Sequence, residues 1–545
     1  MMKKLVIILA CLLPAVAVKA QDRERIYVST DRSVYITGDE VWCSLFCFAD
    51  GKLSPFSAVS YLELVSADGT AATAKIGLME GRGAGKFRIP VSVPTGNYRL
   101  IAYTSRDIDY LPGSKIISVF NTNSTSRVKD GVTLVPQEDY KPVTAPEIPS
   151  GGVLGITIGR VPHCGQPFTV AISGAGVRAD ASISVAAIDN IEEPHDNSLK
   201  AFLADDSAPA PRRDRLPEYE GEIISAAVEG LDESDLLSLQ NIAVATLSSA
   251  GSPSDVYVGR MGEKGKLLFF TNNIYGNREL VCQVNRTGKG YISLVDPFLR
   301  PSMADIEPLW LSSAQYGALV QRKAAVGSSL QTDTLVSFLP RRQDILLGMM
   351  PKTSYHLDDY TRFHSFQEVI TEIVGELRLR NSRGQRELQM VIPEGSMKVV
   401  KDNILVMLDG VVIPDVAMLE GMDAMLLEDI DLYQETVLLG GMSYNGVANF
   451  ITRKNYVTAL QFPENVRVVD FPGVSYPVAY LGAGISGKDN RQLLFWHPAL
   501  DVPADGTVRL QLTAPSNPGT FRIKAEGLTA DGKPFREVFY FDVVE

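Results

Sequence analysis

The stretch Ile404–Lys454, ILVMLDGVVIPDVAMLEGMDAMLLEDIDLYQETVLLGGMSYNGVANFITRK, has the most specific residue order in the chain. An apolar strand, Ile404–Leu408, runs into Asp409-Gly410, a dipeptide that is typical of tight hairpin turns. A short helical segment follows, and Asn445-Gly446 then opens a last strand, Val447–Thr452. This alternation of short strands, turns and one helical segment predicts a small α/β unit.

The order of these elements resembles the plug domain of TonB-dependent outer-membrane receptors, where a strand–Asp-Gly–strand unit and a later Asn-Gly-Val strand recur. The resemblance implies an interaction module. We interpret six residues as turns that shape it: Asp409, Gly410, Gly440, Gly441, Asn445 and Gly446. Too few residues follow Lys454 for the strands of a membrane barrel, so we expect a plug-like domain without a barrel.

The N-terminus has the features of a secretory signal peptide, which we assign to residues 1–20. Lys3 and Lys4 precede an apolar run, and cleavage is expected after Ala20; the alternative is lipidation of Cys11. No later stretch is apolar enough for a membrane-spanning helix. We therefore expect an exported protein of the periplasm or of the periplasmic face of the outer membrane. The net charge of −12 argues against nucleic acid as a partner.

Residues 25–120 alternate short apolar runs with turn signals, which predicts a β-sandwich. The order of Ile26–Arg32, of Val34–Trp42 and of Pro94–Leu100 resembles the macroglobulin domain of alpha-2-macroglobulins and their bacterial relatives. The fold class predicted for the chain is therefore mainly β, with several immunoglobulin-like or macroglobulin-like sandwiches and one small α/β plug-like domain.

The other boundaries follow from prolines, turns and strand patterns. The helical periodicity of Asp358–Leu379 predicts a helix that leads into the plug-like domain. The predicted segments are a linker at 121–152, a second macroglobulin-like sandwich with a mobile loop at 153–215, a sandwich resembling the carboxypeptidase-regulatory-like fold at 216–300, an irregular connector at 301–357, the plug-like domain at 358–460 and a C-terminal sandwich at 461–545.

Residues that could carry chemistry are sparse, and we predict no catalytic residue, no cofactor and no metal site. Thioester macroglobulins join a cysteine to a glutamine three residues later, but Pro167 stands at that spacing from Cys164. The five histidines form no zinc-binding motif. Cys43 and Cys47 lie roughly 13 Å apart on one predicted strand, so we expect buried thiols and not a disulfide.

The sequence favours a non-enzymatic binding or scaffold protein in the envelope of a Gram-negative bacterium of the Bacteroidetes type, with an outer-membrane protein as partner. We hypothesise that the flanking sandwiches cover the plug-like domain and that the loop Gly440–Asn445 contacts the partner. One alternative is a macroglobulin-type protease trap without a thioester, whose cleavable bait would be Ile191–Arg215. The other alternative is a hydrolase that acts on glycans.

Two tripeptides, Asp206-Ser207-Ala208 and Asp333-Thr334-Leu335, look like the O-glycosylation sites of Bacteroidetes envelope proteins. The resemblance makes Ser207 and Thr334 candidate modification sites. Ser207 is the stronger candidate because it falls in an acidic segment that is predicted to be exposed.

Overall fold

The computed structural model describes most of the chain, and strands dominate the described part. The described residues are 23–106, 114–123, 132–134, 152–189, 191, 193–194, 197–205, 216–239, 243–250, 254–284, 289–327, 330–339, 346–382, 385–439, 442–454, 457 and 460–545. The signal-peptide prediction and Cys11 lie outside these residues.

The first sandwich is built from nine strands that follow one another along the chain. They are β1 Glu24–Thr30, β2 Val34–Ile36, β3 Glu40–Ala49, β4 Lys52–Leu53, β5 Val59–Ser66, β6 Gly69–Met79, β7 Arg82–Arg88, β8 Gly96–Tyr103 and β9 Lys115–Phe120. One layer has the order β1-β3-β7 and the other β5-β8-β9-β2, and β6 pairs with strands of both layers. Alternate side chains of the two layers, such as Leu45 and Leu100, meet in one core.

The next part of the chain contributes strands to two further units. Its elements are β10 Val132–Leu134, β11 Leu154–Ile158, β12 Pro167–Gly174, β13 Ala179–Ala187, α1 Leu199–Ala204, β14 Ile223–Glu229, α2 Glu233–Leu239, β15 Ala243–Ser249, β16 Asp255–Met261, β17 Lys266–Phe270, β18 Asn277–Val284, β19 Tyr291–Leu294, β20 Leu309–Leu311, α3 Ser313–Gly327 and β21 Leu330–Ser337.

The plug-like unit comes next, and the chain then returns to the earlier sheets. The elements of the plug-like unit are β22 Thr353–His356, α4 Phe366–Glu372, β23 Leu377–Ser382, β24 Gln385–Glu394, β25 Met397–Lys401, β26 Leu405–Leu408, β27 Val411–Val412, α5 Ala417–Glu420, β28 Leu427–Tyr433, β29 Val437–Leu439, β30 Met442–Tyr444 and β31 Val447–Thr452. The returning strands are β32 Arg467–Pro472, β33 Val478–Ser486, β34 Leu493–Val502, β35 Thr507–Thr513, β36 Gly519–Thr529 and β37 Pro534–Val543.

The second sandwich joins segments that are far apart in sequence. One layer has the order β11-β12-β35 and the other β21-β33-β34-β13-β36-β37, and Ile172, Ile183 and Ile523 lie in their common core. The sequence analysis divides these strands between two sandwiches, at 153–215 and 461–545. The structure differs because β13 lies between β34 and β36, a pairing that local periodicity does not encode.

The seven-stranded unit is a single sheet of order β19-β14-β17-β16-β15-β18-β32. The sheet folds over itself, so that Ile224 and Leu267 from one half share a core with Leu247 and Cys282 from the other. Its edge strand β32 comes from the far side of the plug-like unit, and it pairs with β18. The plug-like unit is therefore inserted between strands of one sheet.

The plug-like unit contains a five-stranded sheet, β22-β28-β31-β26-β27, and a three-stranded sheet, β23-β24-β25. Strands β26 and β31 are parallel, as α/β connections produce. The helix predicted over Asp358–Leu379 is limited to α4, which corrects that prediction. Ser365 caps the start of α4, and Leu377 already belongs to β23. The structure as described is mainly β with sandwiches and one small α/β unit, as predicted.

Candidate functional site

Asp409 and Gly410 form the turn between β26 and β27. Both have positive φ angles, 48° and 78°, as a tight hairpin turn of this type requires. The buried Asp409 carboxylate accepts hydrogen bonds from the Thr452 backbone N at 2.7 Å and from Thr452 Oγ1 at 2.8 Å. Burial raises the pKa of Asp409 above its ordinary value. The turn is thereby fixed to β31, the strand that Asn445-Gly446 opens.

Asn445 and Gly446 stand directly before β31. The Asn445 side chain donates from Nδ2 to the Asp402 carbonyl at 2.8 Å, and the Leu405 backbone N donates to the Gly446 carbonyl at 3.0 Å. These bonds hold the starts of β26 and β31 side by side. Gly440 and Gly441 lie outside the described residues, so the loop Gly440–Asn445 is described only from Met442 onward.

The seven-stranded unit covers one side of the plug-like unit. Val281 of β18 belongs to the plug-like core, and Val256 and Val258 of β16 pack on its second apolar cluster. Gln283 Nε2 donates to the Val412 carbonyl at 2.8 Å. A Cβ added to Gly410 would lie 2.2 Å from Ser254 Cβ, which shows how closely the two units approach. This packing agrees with the hypothesis that a neighbouring sandwich covers the plug-like domain.

The plug-like unit also carries exposed cationic and apolar side chains. The register of β23-β24-β25 places Arg378, Arg380, Lys398 and Val400 on one face of that sheet, because paired residues point to the same side. All four are exposed. Leu438, at 76% exposure, projects from the hairpin β29–β30. We call these five residues the exposed plug surface.

Hydrogen bonds join the two parts of the exposed plug surface. Asn403 follows β25 and donates from Nδ2 to the Ser443 carbonyl of β30 at 2.6 Å. Within the part of the chain that the structure describes, Arg378, Arg380 and Lys398 form no ion pair. The same face carries one exposed carboxylate, Glu387, opposite Arg380, so three cations against one acid stand out in a protein whose net charge is −12. Sequence reasoning missed this face, although the alternation of arginine and leucine in β23 is a signal for it.

The histidines are distributed over separate places. His356 Nδ1 lies 2.7 Å from Asp429 Oδ1, and His364 Nδ1 lies 3.1 Å from Asp423 Oδ1. Burial lowers the pKa of His497 to about 4. Among the described residues, no three His, Cys, Asp or Glu side chains converge to hold a metal ion. The absence of catalytic, cofactor and metal sites stays a prediction.

Of the cysteines considered in the sequence analysis, those in the described residues are free thiols that lie on a strand or just before one. Cys43 and Cys47 lie on β3 as free, buried thiols, and burial raises the pKa of Cys43. Cys164 precedes Gly165, whose φ of 71° turns the chain before β12 begins. A hydrogen bond from the Gln166 backbone N to the His163 carbonyl closes this turn.

The predicted modification and bait segments are only partly described. Ser207 lies outside the described residues, whereas Thr334 is exposed on β21 where its pairing with β33 is interrupted. Within Ile191–Arg215, the helix α1 buries Leu199 and Phe202. This part of the segment is therefore anchored, which corrects the predicted mobile loop there. The protease-trap alternative stays a prediction.

A cavity of about 1340 Å³ lies between the first sandwich and the seven-stranded unit. The outer faces of β14 and β17 form its apolar floor, with Ile223, Leu268 and Phe270. Two buried glutamates, Glu218 and Glu222, line the cavity as well. Both occur in the segment where the sequence analysis opens a β unit, but nothing in the residue order indicates a cavity there.

Each of these two glutamates interacts with a residue of the first sandwich, one through a hydrogen bond and the other through an ion pair. Glu218 Oε1 accepts a hydrogen bond from Tyr61 Oη at 2.7 Å and one from the Ile223 backbone N at 2.9 Å. These two hydrogen bonds act to lower the pKa of Glu218, but burial has the larger effect and raises it to about 7. Glu222 Oε1 pairs with Lys75 Nζ at 2.6 Å, and burial raises its pKa too. The Lys75 ammonium also lies 4.1 Å from the centroid of the Phe471 ring.

Comparison with solved structures returns bacterial alpha-2-macroglobulins. The first of these is Escherichia coli alpha-2-macroglobulin activated by porcine elastase, with 10% sequence identity and a TM-score of 0.25. The match covers 96% of this chain and 44% of the macroglobulin chain. Salmonella alpha-2-macroglobulin reacted with methylamine is 11% identical, with a TM-score of 0.16. That match covers 96% of this chain and 23% of the Salmonella chain. The chain thus spans less than half the length of either protein.

An Escherichia coli adhesin is also similar, at 10% identity over 50% of this chain and 64% of that chain, with a TM-score of 0.13. No family model matches the chain, and no curated protein matches it. Within the described residues, no helix is long and apolar enough to cross a membrane. Because the TM-scores are below 0.5, the description of the fold rests on the sheets and cores given above.

Proposed function

We propose that this protein is a non-enzymatic binding or scaffold protein of the bacterial envelope that presents its plug-like unit to an outer-membrane partner. The observation that carries the proposal is that this unit is anchored by packing and also exposes a cationic and apolar surface. Its cores contact the seven-stranded unit, whereas the residues of the exposed plug surface are open to solvent. A unit that is anchored in this way and exposes cationic and apolar side chains is suited to binding a protein.

The charges indicate what kind of partner surface would fit. Arg378, Arg380 and Lys398 outnumber Glu387 on this face, so the complementary surface is net acidic. Val400 and Leu438 add exposed apolar area. We therefore expect binding that weakens as ionic strength rises.

Site-specific photo-cross-linking in intact envelopes tests the proposal. A photo-reactive residue at Leu438 or at Val400 should capture the same outer-membrane protein, whereas one at Met79 in the first sandwich should not. Met79 is a matched control because it is 73% exposed, almost as much as Leu438 at 76%. Recovery of different proteins from Leu438 and Val400, or equal capture at Met79, would contradict the proposal.

A charge-reversal pair tests the role of the cations. The double variant Arg378→Glu, Lys398→Glu should reduce cross-linking at Leu438 by about tenfold or more, because it reverses the charge on the face beside the hairpin. The double variant Arg509→Glu, Lys488→Glu is the control, since both residues are exposed elsewhere in the second sandwich or its loops. Equal loss in both variants would show that total charge, and not this surface, determines capture.

A further inference from the structure

Two buried glutamates and a buried serine line the cavity between the first sandwich and the seven-stranded unit. Glu218, Glu222 and Ser105 are each at most 3% exposed. Glu218 Oε2 and Glu222 Oε2 are covered and have no hydrogen-bond partner of normal geometry among the described residues, although the Ser105 hydroxyl interacts with the Glu218 carboxyl group. Buried polar atoms in proteins are nearly always paired with protein groups, ions or ordered water. The case for an occupant therefore rests on the two carboxylates next to the cavity.

The neighbours of these atoms define what the occupant must supply. The Ser105 hydroxyl faces Glu218, and the Glu222 carboxylate lies close enough to raise the pKa of Glu218. Tyr61 and Lys75 engage the opposite oxygens of the two glutamates, so both Oε2 atoms remain as acceptors. When both glutamates are ionised, Lys75 balances only one of the two charges. The occupant should therefore donate hydrogen bonds and carry positive charge.

The rest of the cavity is suited to an apolar body. Ile223, Leu268, Phe270 and Val295 line it, and its volume of about 1340 Å³ is ample for an organic ligand. The other charged residues that line the cavity are all exposed to solvent, whereas Glu218, Glu222 and Lys75 are buried. The exposed ones are Arg260, Glu263, Lys266, Asp296, Arg300, Arg467 and Asp470. A bare metal ion would use little of this apolar wall. It would also meet no group of three His, Cys, Asp or Glu ligands among the described residues.

We propose that this cavity binds an organic cation, a primary ammonium or a guanidinium on an apolar body, with the cation between Glu218 Oε2 and Glu222 Oε2. A free amphiphilic amine and a lysine or arginine side chain of a peptide share this chemistry. Both carboxylate oxygens are covered in the present conformation, so binding requires the surrounding side chains to move apart. The site is separate from the exposed plug surface.

The pKa values predict how binding depends on pH. Burial raises the pKa of Glu218 to about 7 and raises that of Glu222, while Tyr61, the Ile223 backbone N–H and Ser105 act to lower the pKa of Glu218 and Lys75 that of Glu222. A bound cation stabilises the ionised carboxylate, so its affinity should increase as pH rises through about 7. Exposed ion pairs in water would not show this dependence near neutral pH.

Calorimetric titration of the full chain tests the proposal. The probes are n-hexylammonium with hexanol as its uncharged control, and acetyl-Leu-Lys-Leu-amide with the same peptide carrying norleucine in place of lysine. At least one charged probe should bind, and its uncharged control should bind about tenfold more weakly or not at all. The arm that binds shows whether the source is a free amine or a basic side chain.

Two variants separate the site from general effects on the fold. Glu218→Gln should weaken the charged probe by about tenfold and reduce its pH dependence, leaving only the part due to Glu222. Glu279→Gln, which changes an exposed glutamate of β18 outside the cavity, should leave binding unchanged. Thermal unfolding monitored by circular dichroism verifies that both variants are folded. Equal binding of charged and uncharged probes, or binding of neither charged probe, would overturn the proposal; the second result would indicate that water satisfies these oxygens.

Discussion

Two Asp-Gly turns in this protein have nearly the same backbone but different surroundings. Asp50 and Gly51 have φ angles of 48° and 73°, and Asp409 and Gly410 have 48° and 78°. A Cβ at Gly51 would meet nothing within 4 Å, whereas one at Gly410 would clash with Ser254. A comparison of the two turns therefore separates two contributions to the free energy of unfolding. One is the strain of a side chain on a left-handed backbone, and the other is the clash of that side chain with Ser254.

Alanine at these two glycines should have unequal effects on stability. Gly51→Ala should cost about 1 kcal/mol, because a side chain disfavours the left-handed region. Gly410→Ala should cost a further 1–3 kcal/mol, roughly, since Ser254 must be displaced. Urea denaturation of both variants measures the difference. In the Gly410→Ala background, Ser254→Gly should recover part of the loss, and equal costs at the two turns would contradict the predicted contact.

Glu218 should make folding stability depend on pH in the acidic range. Its pKa is raised from 4.5 to about 7 in the folded protein, so its stabilising contribution is present below about 4.5 and is lost as pH rises through about 7. The full difference is roughly 3 kcal/mol. Urea unfolding between these limits should show this decline, and the Glu218→Gln variant should show a flatter profile. An identical slope in both proteins would contradict the shifted pKa.

At the scale of single elements, α1 shows how a six-residue helix is held in place. Leu199 and Phe202 insert between the first sandwich and β36, and the Phe202 ring lies 5.5 Å from that of Tyr27. Arg25 places its guanidinium 4.6 Å from the centroid of the Phe202 ring and donates from Nη2 to the Phe202 carbonyl. A helix this short has little intrinsic stability, so packing determines its position.

Truncation of Phe202 should release α1. Phe202→Ala should cost about 3 kcal/mol if the site cannot collapse, because a buried aromatic side chain is removed. Trypsin cleavage after Lys200 should then become faster, since the helix no longer protects the bond. Leu237→Ala in α2 is the control, because Leu237 is 65% exposed and should have little effect. Unchanged cleavage in Phe202→Ala would show that α1 is held by other contacts.

The elements also show which parts of the fold the sequence could predict. Strand positions follow from alternation, and the Asp409-Gly410 turn follows from residue type, because both signals are local. The helix predicted over Asp358–Leu379 is too long, because Leu377 follows Val374 at helical spacing while Leu377 and Leu379 alternate as in a strand. The residue order around Glu218 and Glu222 contains no pattern that predicts a site there. The site forms only when Tyr61 and Lys75 of the first sandwich, which are distant in sequence, approach these glutamates.

At the scale of the whole molecule, the second sandwich and the seven-stranded unit depend on distant segments, whereas the first sandwich and the plug-like unit do not. The first sandwich takes its strands from Glu24–Phe120 alone. The second sandwich needs β33–β37, and the seven-stranded unit needs β32, all from beyond the plug-like unit. No local pattern could predict this arrangement, because β13 reads as an ordinary apolar strand whatever its partners are. Glu526, fully buried, then ties the second sandwich to Tyr27 and Ser29 of the first.

Fragments should reflect this dependence. Residues 23–123 should unfold cooperatively as an isolated fragment, because their sheets and core are complete. In a fragment of residues 152–294, the amide signals of β11–β13 should lack dispersion in NMR spectra, because β13 would lose both of its neighbours, β34 and β36. Addition of residues 461–545 should restore dispersion only in part, since β21 is still missing. A well-dispersed spectrum for 152–294 alone would contradict the role given to the returning strands.

Because the partners of β13 lie near the end of the chain, the first sandwich can fold before the second sandwich. The N-terminal part of the chain reaches the compartment where it folds first, so the first sandwich can close before the remainder arrives. Strand β13 must wait with unpaired edges until β34 and β36 emerge, more than 300 residues later. An unpaired strand edge recruits other strands. The interval between those two events is therefore when this protein is most vulnerable to aggregation and most dependent on chaperones.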